Sequence, residues 1–460
     1  MSNITVCCRF RPLNSSERKE HGDSVCIRSV DSEAFIFKDE KEGEMTFNFD
    51  KVFQDDSAQA DVYSFLAFPI VTDVVNSVNG TILTYGQTGA GKTYSMEGPN
   101  VLEDDDQKKG LLPRVVEGLF DLLQSVDSSI NCTVKLSMVE IYMERVRDLL
   151  DLSKDNLPIK QSKSQGIMPS GVTEVIVSNA AETLQSISNG LGNRAVGDTH
   201  MNAASSRSHC VYILTLHQNS PKYKCGRSSK MMLVDLAGSE KVEKTGAEGK
   251  VLEEAKTINK SLSALGNVIS ALTTSISKST HVPYRDSKLT RILQDALGGN
   301  CRMALLCCCS LSNYNASETL STLRFGTRAK HIKASPSVKG VKCEENEWAE
   351  KDTCKRIIEK LGSRMSDVDV QLLEEVLVSE GIVFDPQVED GFGDVVTRTI
   401  SSLHEAVEEL LYSVEELRSE NAALKRLLSV AENAWEAEGW LTIFLMKVMH
   451  IFRFSSSSPT

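Results

Sequence analysis

Apolar residues in the first 340 positions follow two patterns, short β-branched or aromatic runs and longer stretches with helical spacing. A run that is apolar throughout is typical of a strand buried on both faces, whereas a repeat of three to four residues predicts an amphipathic helix. Strands are predicted over residues 4–10, 81–85, 134–142, 210–217, 230–235 and 303–309. Helices are predicted directly after Lys92 and over residues 111–125, 257–274, 288–297 and 317–330. This alternation with short turns indicates an α/β domain.

Beyond residue 340 the pattern becomes acidic and then heptad-like. Leucine occupies the d positions of one register, while valine, asparagine and leucine fill its a positions: Leu403, Leu410, Leu417 and Leu424 at d, with Val407, Val414, Asn421 and Leu428 at a. β-Branched a positions with leucine at d favour a parallel pair of helices, and a single a-position asparagine fixes their register. We therefore expect a parallel homodimer through residues 403–428. The alternative is an amphipathic helix packed on its own domain, since only about four heptads are present.

Charge separates the same two regions. The chain of 460 residues carries a net charge of −12, and residues 341–440 hold 10 lysines and arginines against 24 aspartates and glutamates. The acidity therefore lies in this later segment, and the first 340 residues are close to neutral. A neutral domain argues against a nucleic-acid partner, because a general nucleic-acid binder is strongly basic.

Cysteines and the chain ends bear on the cellular compartment. Cys7, Cys8 and residues 307–309 lie in strand-like runs without C-x-x-C spacing, which favours buried free thiols over disulfides or structural zinc. The first residues run directly into a strand pattern without signal-peptide architecture. Residues 440–454 are apolar but interrupted by basic side chains and too short to span a bilayer, with an interfacial membrane segment as the alternative. We expect a cytosolic or nuclear protein with no transmembrane segment.

The first chemical motif follows the predicted strand 81–85. Residues 86–93 read G-Q-T-G-A-G-K-T, the phosphate loop G-x-x-x-x-G-K-[ST]. Backbone N–H groups of such a loop converge on the β- and γ-phosphates, while Lys92 adds a positive charge and the Thr93 hydroxyl can bind Mg²⁺. Because a buried strand precedes it, the motif predicts a P-loop NTPase. The loop residues expected to contact nucleotide are Gly86, Gln87, Thr88, Gly89, Ala90, Gly91, Lys92 and Thr93.

Two further segments supply what hydrolysis needs beyond nucleotide binding. Residues 202–209, N-A-A-S-S-R-S-H, place hydroxyls, an amide and a guanidinium in one loop. Residues 235–240, D-L-A-G-S-E, follow a predicted strand, so that Asp235 stands at a strand end, where the metal-holding carboxylate of a P-loop NTPase lies. Gly238 leaves its backbone N–H free to approach a phosphate oxygen.

In their order, these motifs resemble the kinesin motor domain, in which N-x-x-S-S-R-S-H is switch I and D-L-A-G-S-E is switch II. The resemblance covers roughly residues 3–333 and includes R-F-R-P at 9–12 and Y-R-D-S-K-L-T at 284–290. The phrase E-K-V-E-K-T-G-A-E-G at 240–249 is most similar to the conventional, kinesin-1-like class. The implied fold is a P-loop NTPase motor domain, a central mixed β-sheet flanked by helices, followed here by a C-terminal helical or coiled-coil segment.

The resemblance implies ATP as the nucleotide and Mg²⁺ as its metal. Besides the phosphate loop, the residues expected to contact nucleotide are Arg9, Arg11 and Pro12 near adenine and ribose, Tyr94 stacked on the base, Asn202 and Ser205. Those expected at or behind Mg²⁺ are Thr93, Ser206 and Asp235. Arg207 and Glu240 are expected to close as an ion pair that positions the attacking water, with Glu240 acting through a relay. The implied catalytic set is Lys92, Ser206, Arg207, Gly238 and Glu240.

The same resemblance implies a microtubule-binding face. The cations expected to face acidic tubulin are Lys241, Lys244, Lys256, Arg285, Lys288 and Arg291. Cations on an otherwise neutral domain steer association with an acidic partner, although singly each is also compatible with a solvated surface charge. Asn259 and Lys260 are expected between switch II and this face, where phosphate release is coupled to track affinity.

After Lys330 the resemblance weakens. Residues 331–333 fit the start of a neck linker, but Pro336 removes a backbone donor and Gly340 adds freedom, so that docking as a strand is expected to be compromised. Because the heptads begin about seventy residues later, we expect a loosely tethered and poorly processive dimer. The segments expected are 1–333, the motor domain; 334–345, neck-linker-like; 346–400, acidic helices and loop; 401–430, a short coiled coil; and 431–460, an apolar tail.

The implied function is an ATP-dependent, plus-end-directed microtubule motor of the cytoplasm and its cytoskeleton, with a microtubule-stimulated ATPase. The alternative is a nucleotide-switched microtubule-binding protein that does not step, which only the altered linker favours. A coiled-coil scaffold with a degenerate NTPase is disfavoured by the intact Lys92, Asp235 and Glu240. A myosin-like actin motor is disfavoured because D-L-A-G-S-E is the kinesin form of switch II.

Overall fold

The computed structural model describes residues 2–39, 43–127, 129–162, 166–196, 206–220, 225–240, 250–274 and 281–334. Its strands are β1 Ser2–Asn3, β2 Thr5–Arg11, β3 Ile27–Ser29, β4 Ala34–Asp39, β5 Gly43–Asn48, β6 Lys51–Phe53, β7 Gly80–Tyr85, β8 Asn131–Tyr142, β9 Arg145–Asp148, β10 Ile159–Ser162, β11 Gly166–Pro169, β12 Val175–Val177, β13 His209–Ser220, β14 Cys225–Asp235, β15 Arg302–Ser310 and β16 Lys333–Ala334. Its α-helices are α1 Ser15–His21, α2 Gln59–Val62, α3 Phe68–Val75, α4 Lys92–Met96, α5 Leu111–Gln124, α6 Ala180–Val196, α7 Lys250–Thr274, α8 Lys288–Ile292, α9 Gln294–Leu297 and α10 Ala316–Ala329.

A mixed sheet runs through the middle of the described residues, in the order β12-β8-β13-β14-β7-β15-β2-β6, with β9 paired to β8. The strands from β14 to β6 are parallel neighbours, whereas those from β12 to β14 are antiparallel. Parallel strands end at one edge of the sheet, and ligands of such α/β folds bind outside those carboxyl ends. The ends of β7 and β14 therefore mark the edge where a site belongs.

Apolar side chains fill both faces of this sheet. Along β15, Leu305 and Cys307 belong to one core cluster, and Leu306 and Cys308 to the other. A strand covered on both faces is apolar without alternation, which accounts for the unbroken apolar run in the sequence. The cysteines predicted as buried free thiols in β2 and β15 are free and buried.

The predicted strands are confirmed with ends that differ by a few residues, and so are the helices after Lys92, at 111–125 and at 317–330. The single helix predicted over 288–297 is wrong, because α8 and α9 are separate. Ser287 caps α8, and Leu293, with φ −84° and ψ 0°, ends it. The apolar spacing continues across the break, since Leu289, Ile292 and Leu293 are all buried. Pattern alone therefore did not reveal it.

The two ends of the described chain meet. β1 pairs antiparallel with β16, with Ser2 opposite Ala334 and Asn3 opposite Lys333, and the Ile4 N–H donates to the Ile332 carbonyl at 3.2 Å. Strand pairing at the start of the predicted neck linker thus extends through Ala334. The proline expected to disturb it, and the predicted coiled coil and apolar tail, lie outside the described residues.

Within the part of the chain that the structure describes, we find no helix whose length and apolar character suit it to crossing a bilayer.

Candidate active site

The phosphate loop leaves β7 at the middle of the sheet. All six residues of β7 are buried, between the parallel neighbours β14 and β15. Gly86, with φ 150°, lies so close to β15 that a Cβ would clash with the carbonyl oxygen of Cys308. Gly91 adopts a left-handed φ of 95° where α4 begins. Glycine is required at both positions, which is why this sequence can turn sharply from strand to helix.

Lys92 opens α4 with its ammonium group inside the loop. The side chain is buried, at 5 % exposure, and its Nζ donates to the Gln87 carbonyl oxygen at 2.9 Å. Burial lowers the pKa of Lys92, and the nearby carboxylates of Asp235 and Glu240 act in the opposite direction. A positive charge held among backbone dipoles in this way suits the oxygens of a polyphosphate.

Asp235 ties the end of β14 to both ends of the phosphate-loop turn. Asp235 pairs in register with Thr84 of β7, and its Oδ1 accepts a hydrogen bond from the Thr84 hydroxyl at 2.9 Å. The Oδ2 atom accepts from the Thr93 hydroxyl at 2.7 Å. Asp235 is fully buried, so both oxygens need these partners. The carboxylate therefore fixes the orientation of the Thr93 hydroxyl.

Glu240 makes a second tie between the segment 235–240 and the phosphate loop. Its Oε2 accepts from the Thr88 backbone N–H at 2.8 Å, and its Oε1 accepts from the Thr88 hydroxyl at 2.6 Å. The carboxylate lies directly over Gly238, where any Cβ would clash with it. On the other side, Asn259 of α7 donates its Nδ2–H to the Glu240 carbonyl at 3.2 Å. Asn259 thus contacts switch II, and its place between switch II and the microtubule face stays a prediction.

Backbone hydrogen bonds join the same segment to switch I and the phosphate loop. The Gly238 N–H donates to the Ser206 carbonyl at 2.9 Å, and the Ser239 N–H donates to the Gly86 carbonyl at 3.1 Å. Asn202 and Ser205 lie outside the described residues. The ion pair of Arg207 with Glu240 stays a prediction, and in this structure Thr88 engages both carboxylate oxygens.

A cavity of about 530 Å³ opens beside the phosphate loop. Residues predicted for the nucleotide and its Mg²⁺ line it together, and they are Arg9, Arg11, Pro12, residues 88–94 and Ser206. Arg9 is anchored at its floor, because its Nη1 donates to Gln59 Oε1 at 2.6 Å and to Ser95 Oγ at 2.8 Å. Tyr94 is 45 % exposed, with the Arg9 guanidinium 5.7 Å from its ring centre. The exposed ring is free to stack on a base.

Arg11 has a partner that sequence reasoning missed. Its Nη1 and Nη2 donate to the two carboxylate oxygens of Glu17, at 2.7 and 2.6 Å. This pairing, chiefly, lowers the pKa of Glu17 to about 2. Asn14 and Glu17 form a capping box at the start of α1, so the N-x-x-E spacing was the available signal. Glu17 holds Arg11 at the cavity wall.

A buried polar network behind switch I was also missed. Tyr212 donates its hydroxyl to Glu97 Oε1 at 2.6 Å, and Arg194 lies 3.9 Å from the same oxygen and 3.6 Å from Glu140 Oε1. Arg194 also donates to the Ser208 carbonyl at 3.1 Å. Burial raises the pKa of Glu97 to about 7, assisted by the Asp235 charge. These residues are far apart in the sequence and no local pattern joins them.

The cations predicted for the microtubule face divide by their position. Lys241 and Lys244 lie outside the described residues. Lys256 on α7 and Arg285 before α8 are exposed, and Lys288 and Arg291 on α8 are partly buried. Helices α7 and α8 contact each other. Their role in binding tubulin stays a prediction.

Comparison with known proteins agrees with this geometry. The kinesin motor domain family model matches residues 9–332. The kinesin-like protein KIN-1 of Arabidopsis thaliana is 60 % identical over 436 residues, covering 92 % of this chain and 94 % of the relative. The protein of the same name from Oryza sativa subsp. japonica is 58 % identical over 417 residues, covering 88 % and 87 %. A solved structure of a fast kinesin is 48 % identical, with a TM-score of 0.69, covering 74 % of this chain and 95 % of that one.

A phosphate loop tied to two switch segments at the carboxyl edge of a mixed sheet defines a nucleotide-switched P-loop ATPase. The chain belongs to the kinesin motor family, among relatives that are kinesin heavy chains and kinesin-1-like proteins. It is an ATP-dependent microtubule motor, as kinesin motor homologues are microtubule-stimulated ATPases. The predicted family, the motor-domain fold and the activity are confirmed.

Proposed function

We propose that residues 1–333 hydrolyse Mg²⁺-bound ATP at the site described and drive plus-end-directed movement along microtubules. The observation that carries the proposal is the double tie between phosphate loop and switch II, Thr93 to Asp235 at 2.7 Å and Thr88 to Glu240 at 2.8 Å. One short segment, 235–240, bears both carboxylates. Loss of a phosphate from the loop therefore changes the contacts of that whole segment at once.

The donor set suits Mg²⁺, which prefers oxygen ligands and retains part of its water shell. The Thr93 hydroxyl donates its hydrogen bond to Asp235, which leaves its oxygen lone pairs for a cation. In this proposal Thr93 and Ser206 hold the ion and Asp235 orients Thr93 from behind. The ion would neutralise charge on the β- and γ-phosphates.

The remaining residues act on charge and alignment. Lys92 stabilises the negative charge that develops on the transferred phosphoryl group. The Gly238 N–H donates to the Ser206 carbonyl in this structure, so it must exchange that partner to reach a phosphate oxygen. Arg207 and Glu240 pair when the switches close, and Glu240 passes on the proton of the attacking water through a relay.

Track binding is proposed through the cations of α7, the segment before α8 and α8 itself, together with Lys241 and Lys244. Tubulin supplies the acidic surface that these cations fit. Two copies of the chain associate through residues 403–428, and the long connection between motor and heptads makes the dimer poorly processive. Long unbroken runs of single dimers on microtubules would contradict this last point.

The deciding measurement is steady-state ATP turnover against microtubule concentration. We expect strong stimulation in the wild type, and about a hundredfold loss of the stimulated rate in Glu240→Ala. Glu33→Ala, at an exposed carboxylate before β4, is the matched control and should keep the wild-type rate. Wild-type turnover that does not rise with microtubule concentration would contradict the proposal and favour a nucleotide-switched binding protein. A polarity-marked gliding assay with no movement, despite stimulated turnover, would do the same.

A further inference from the structure

His209 begins β13 and is buried between switch II and α7. The residue is 2 % exposed. Its Nδ1 accepts a hydrogen bond from the Ala237 backbone N–H at 3.0 Å, and its Nε2 lies 2.7 Å from the Ser261 hydroxyl. Both ring nitrogens are therefore occupied, one by the segment that follows Asp235 and the other by the long helix α7.

The two contacts fix the tautomer of the ring. A backbone N–H is only a donor, so Nδ1 must be the unprotonated acceptor and Nε2 carries the hydrogen. Nε2–H then donates to Ser261, whose hydroxyl donates in turn to the Ile258 carbonyl at 2.7 Å. The result is one directed chain of hydrogen bonds, from switch II through the imidazole into α7.

The ring stays neutral throughout. Burial lowers the pKa of His209 to about 3, and the positive charges of Arg194 and Lys92 act in the same direction. Ionisation therefore does not break the chain at ordinary pH. Ser261 is also buried, at 3 % exposure, so water does not compete for these bonds.

We propose that His209 is a positioning residue that joins the end of β14 to α7, so that a movement of residues 235–240 is passed to α7 through its imidazole. The inference rests on the proposed function, since it needs a nucleotide-driven change in that segment and a track contact on α7. Asn259, two residues before Ser261 on α7, forms a second link to switch II through the Glu240 carbonyl. His209 differs because it reaches the buried side of α7 through a rigid ring.

The test compares Ser261→Ala with Ser263→Ala in the full chain, because Ser263 is exposed on the same helix. Microtubule affinity is measured by co-sedimentation with a non-hydrolysable ATP analogue and with ADP. The readout is the dissociation constant measured with ADP divided by the one measured with the ATP analogue. We expect Ser261→Ala to reduce this ratio about two- to tenfold, the range for one lost hydrogen bond, and Ser263→Ala to leave it as in the wild type.

His209→Asn tests the ring itself. Asparagine keeps an acceptor for the Ala237 N–H but is too short to reach Ser261, so the ratio should fall as in Ser261→Ala. The double variant should show no further loss, because both changes break the same chain. A ratio unchanged in Ser261→Ala, or additive losses in the double variant, would overturn the inference. A wild type whose affinity does not depend on nucleotide would refute the proposed function as well, which separates the two failures.

Discussion

Glu97 should make the stability of the motor domain depend on pH around neutrality. Its carboxyl group is buried behind switch I, where Tyr212 donates a hydroxyl to it at 2.6 Å and Arg194 lies 3.9 Å away. Burial, more than the charge of Asp235, raises its pKa from 4.5 to about 7. Replacement by glutamine keeps an oxygen for Tyr212 and removes the ionisation.

The sign follows from proton linkage. The folded chain holds the Glu97 proton more tightly than the unfolded chain, so this group stabilises the fold most below its unfolded pKa of 4.5 and loses that contribution as the pH rises to about 7. Each unit of displacement is worth about 1.4 kcal/mol. Between pH 5 and pH 8, the wild type should therefore lose about 2–3 kcal/mol relative to Glu97→Gln.

Urea unfolding followed by far-ultraviolet circular dichroism at pH 5, 6, 7 and 8 measures this difference. Glu33→Gln, at an exposed position before β4, controls for the loss of one negative charge. The free energy of unfolding of Glu97→Gln minus that of the wild type should rise with pH, while the control difference stays flat. A Glu97→Gln difference that is constant from pH 5 to pH 8 would refute the reasoning.

Three further outcomes are expected. Thr93→Ala removes the hydroxyl bonded to Asp235, so ATP turnover should fall about a hundredfold at low Mg²⁺ and recover in part at high Mg²⁺; a loss that does not depend on the Mg²⁺ concentration would contradict its proposed role as a ligand. Arg11→Lys replaces two hydrogen bonds to Glu17 by one and should cost about 1 kcal/mol in urea unfolding, where an unchanged midpoint would argue against it. Ser287→Ala removes the cap of α8 and should cost about 1 kcal/mol in the same assay, whereas an effect no larger than that of Ser263→Ala would contradict the capping role.

The sequence was sufficient where function is written in contiguous residues. The phosphate loop and the end of β14 each combine an apolar strand with a motif directly after it, so their positions at one sheet edge followed from pattern and parallel pairing. Asp235 and Thr84 pair in register in the structure. The two strand predictions could indicate that these strands are neighbours, but not which of their residues pair. The predicted start of α7 at residue 257 was late, since α7 begins at Lys250. Charged residues in its first turns dilute the apolar spacing.

Contacts between distant segments could not be predicted in this way. Tyr212 and Glu97 are 115 residues apart, and His209 and Ser261 are 52 apart. Each pair forms because the sheet order brings separate strands and helices together, and a one-dimensional pattern carries no information about that order. Their residue types give no warning either, since a histidine at a strand start or a serine in a helix is ordinary on its own.

The pairing of β1 with β16 has a mechanical consequence. At one end of this pair, Asn3 faces Lys333, and there both strands continue into the domain. At the other end, Ala334 faces Ser2, and there the chain continues beyond β16. A backward pull on the chain beyond Ala334 therefore peels the strands apart one residue pair at a time instead of shearing all their hydrogen bonds together. Peeling needs little force and reverses readily, so a backward pull of modest size can release β16 from β1 while leaving the central sheet intact.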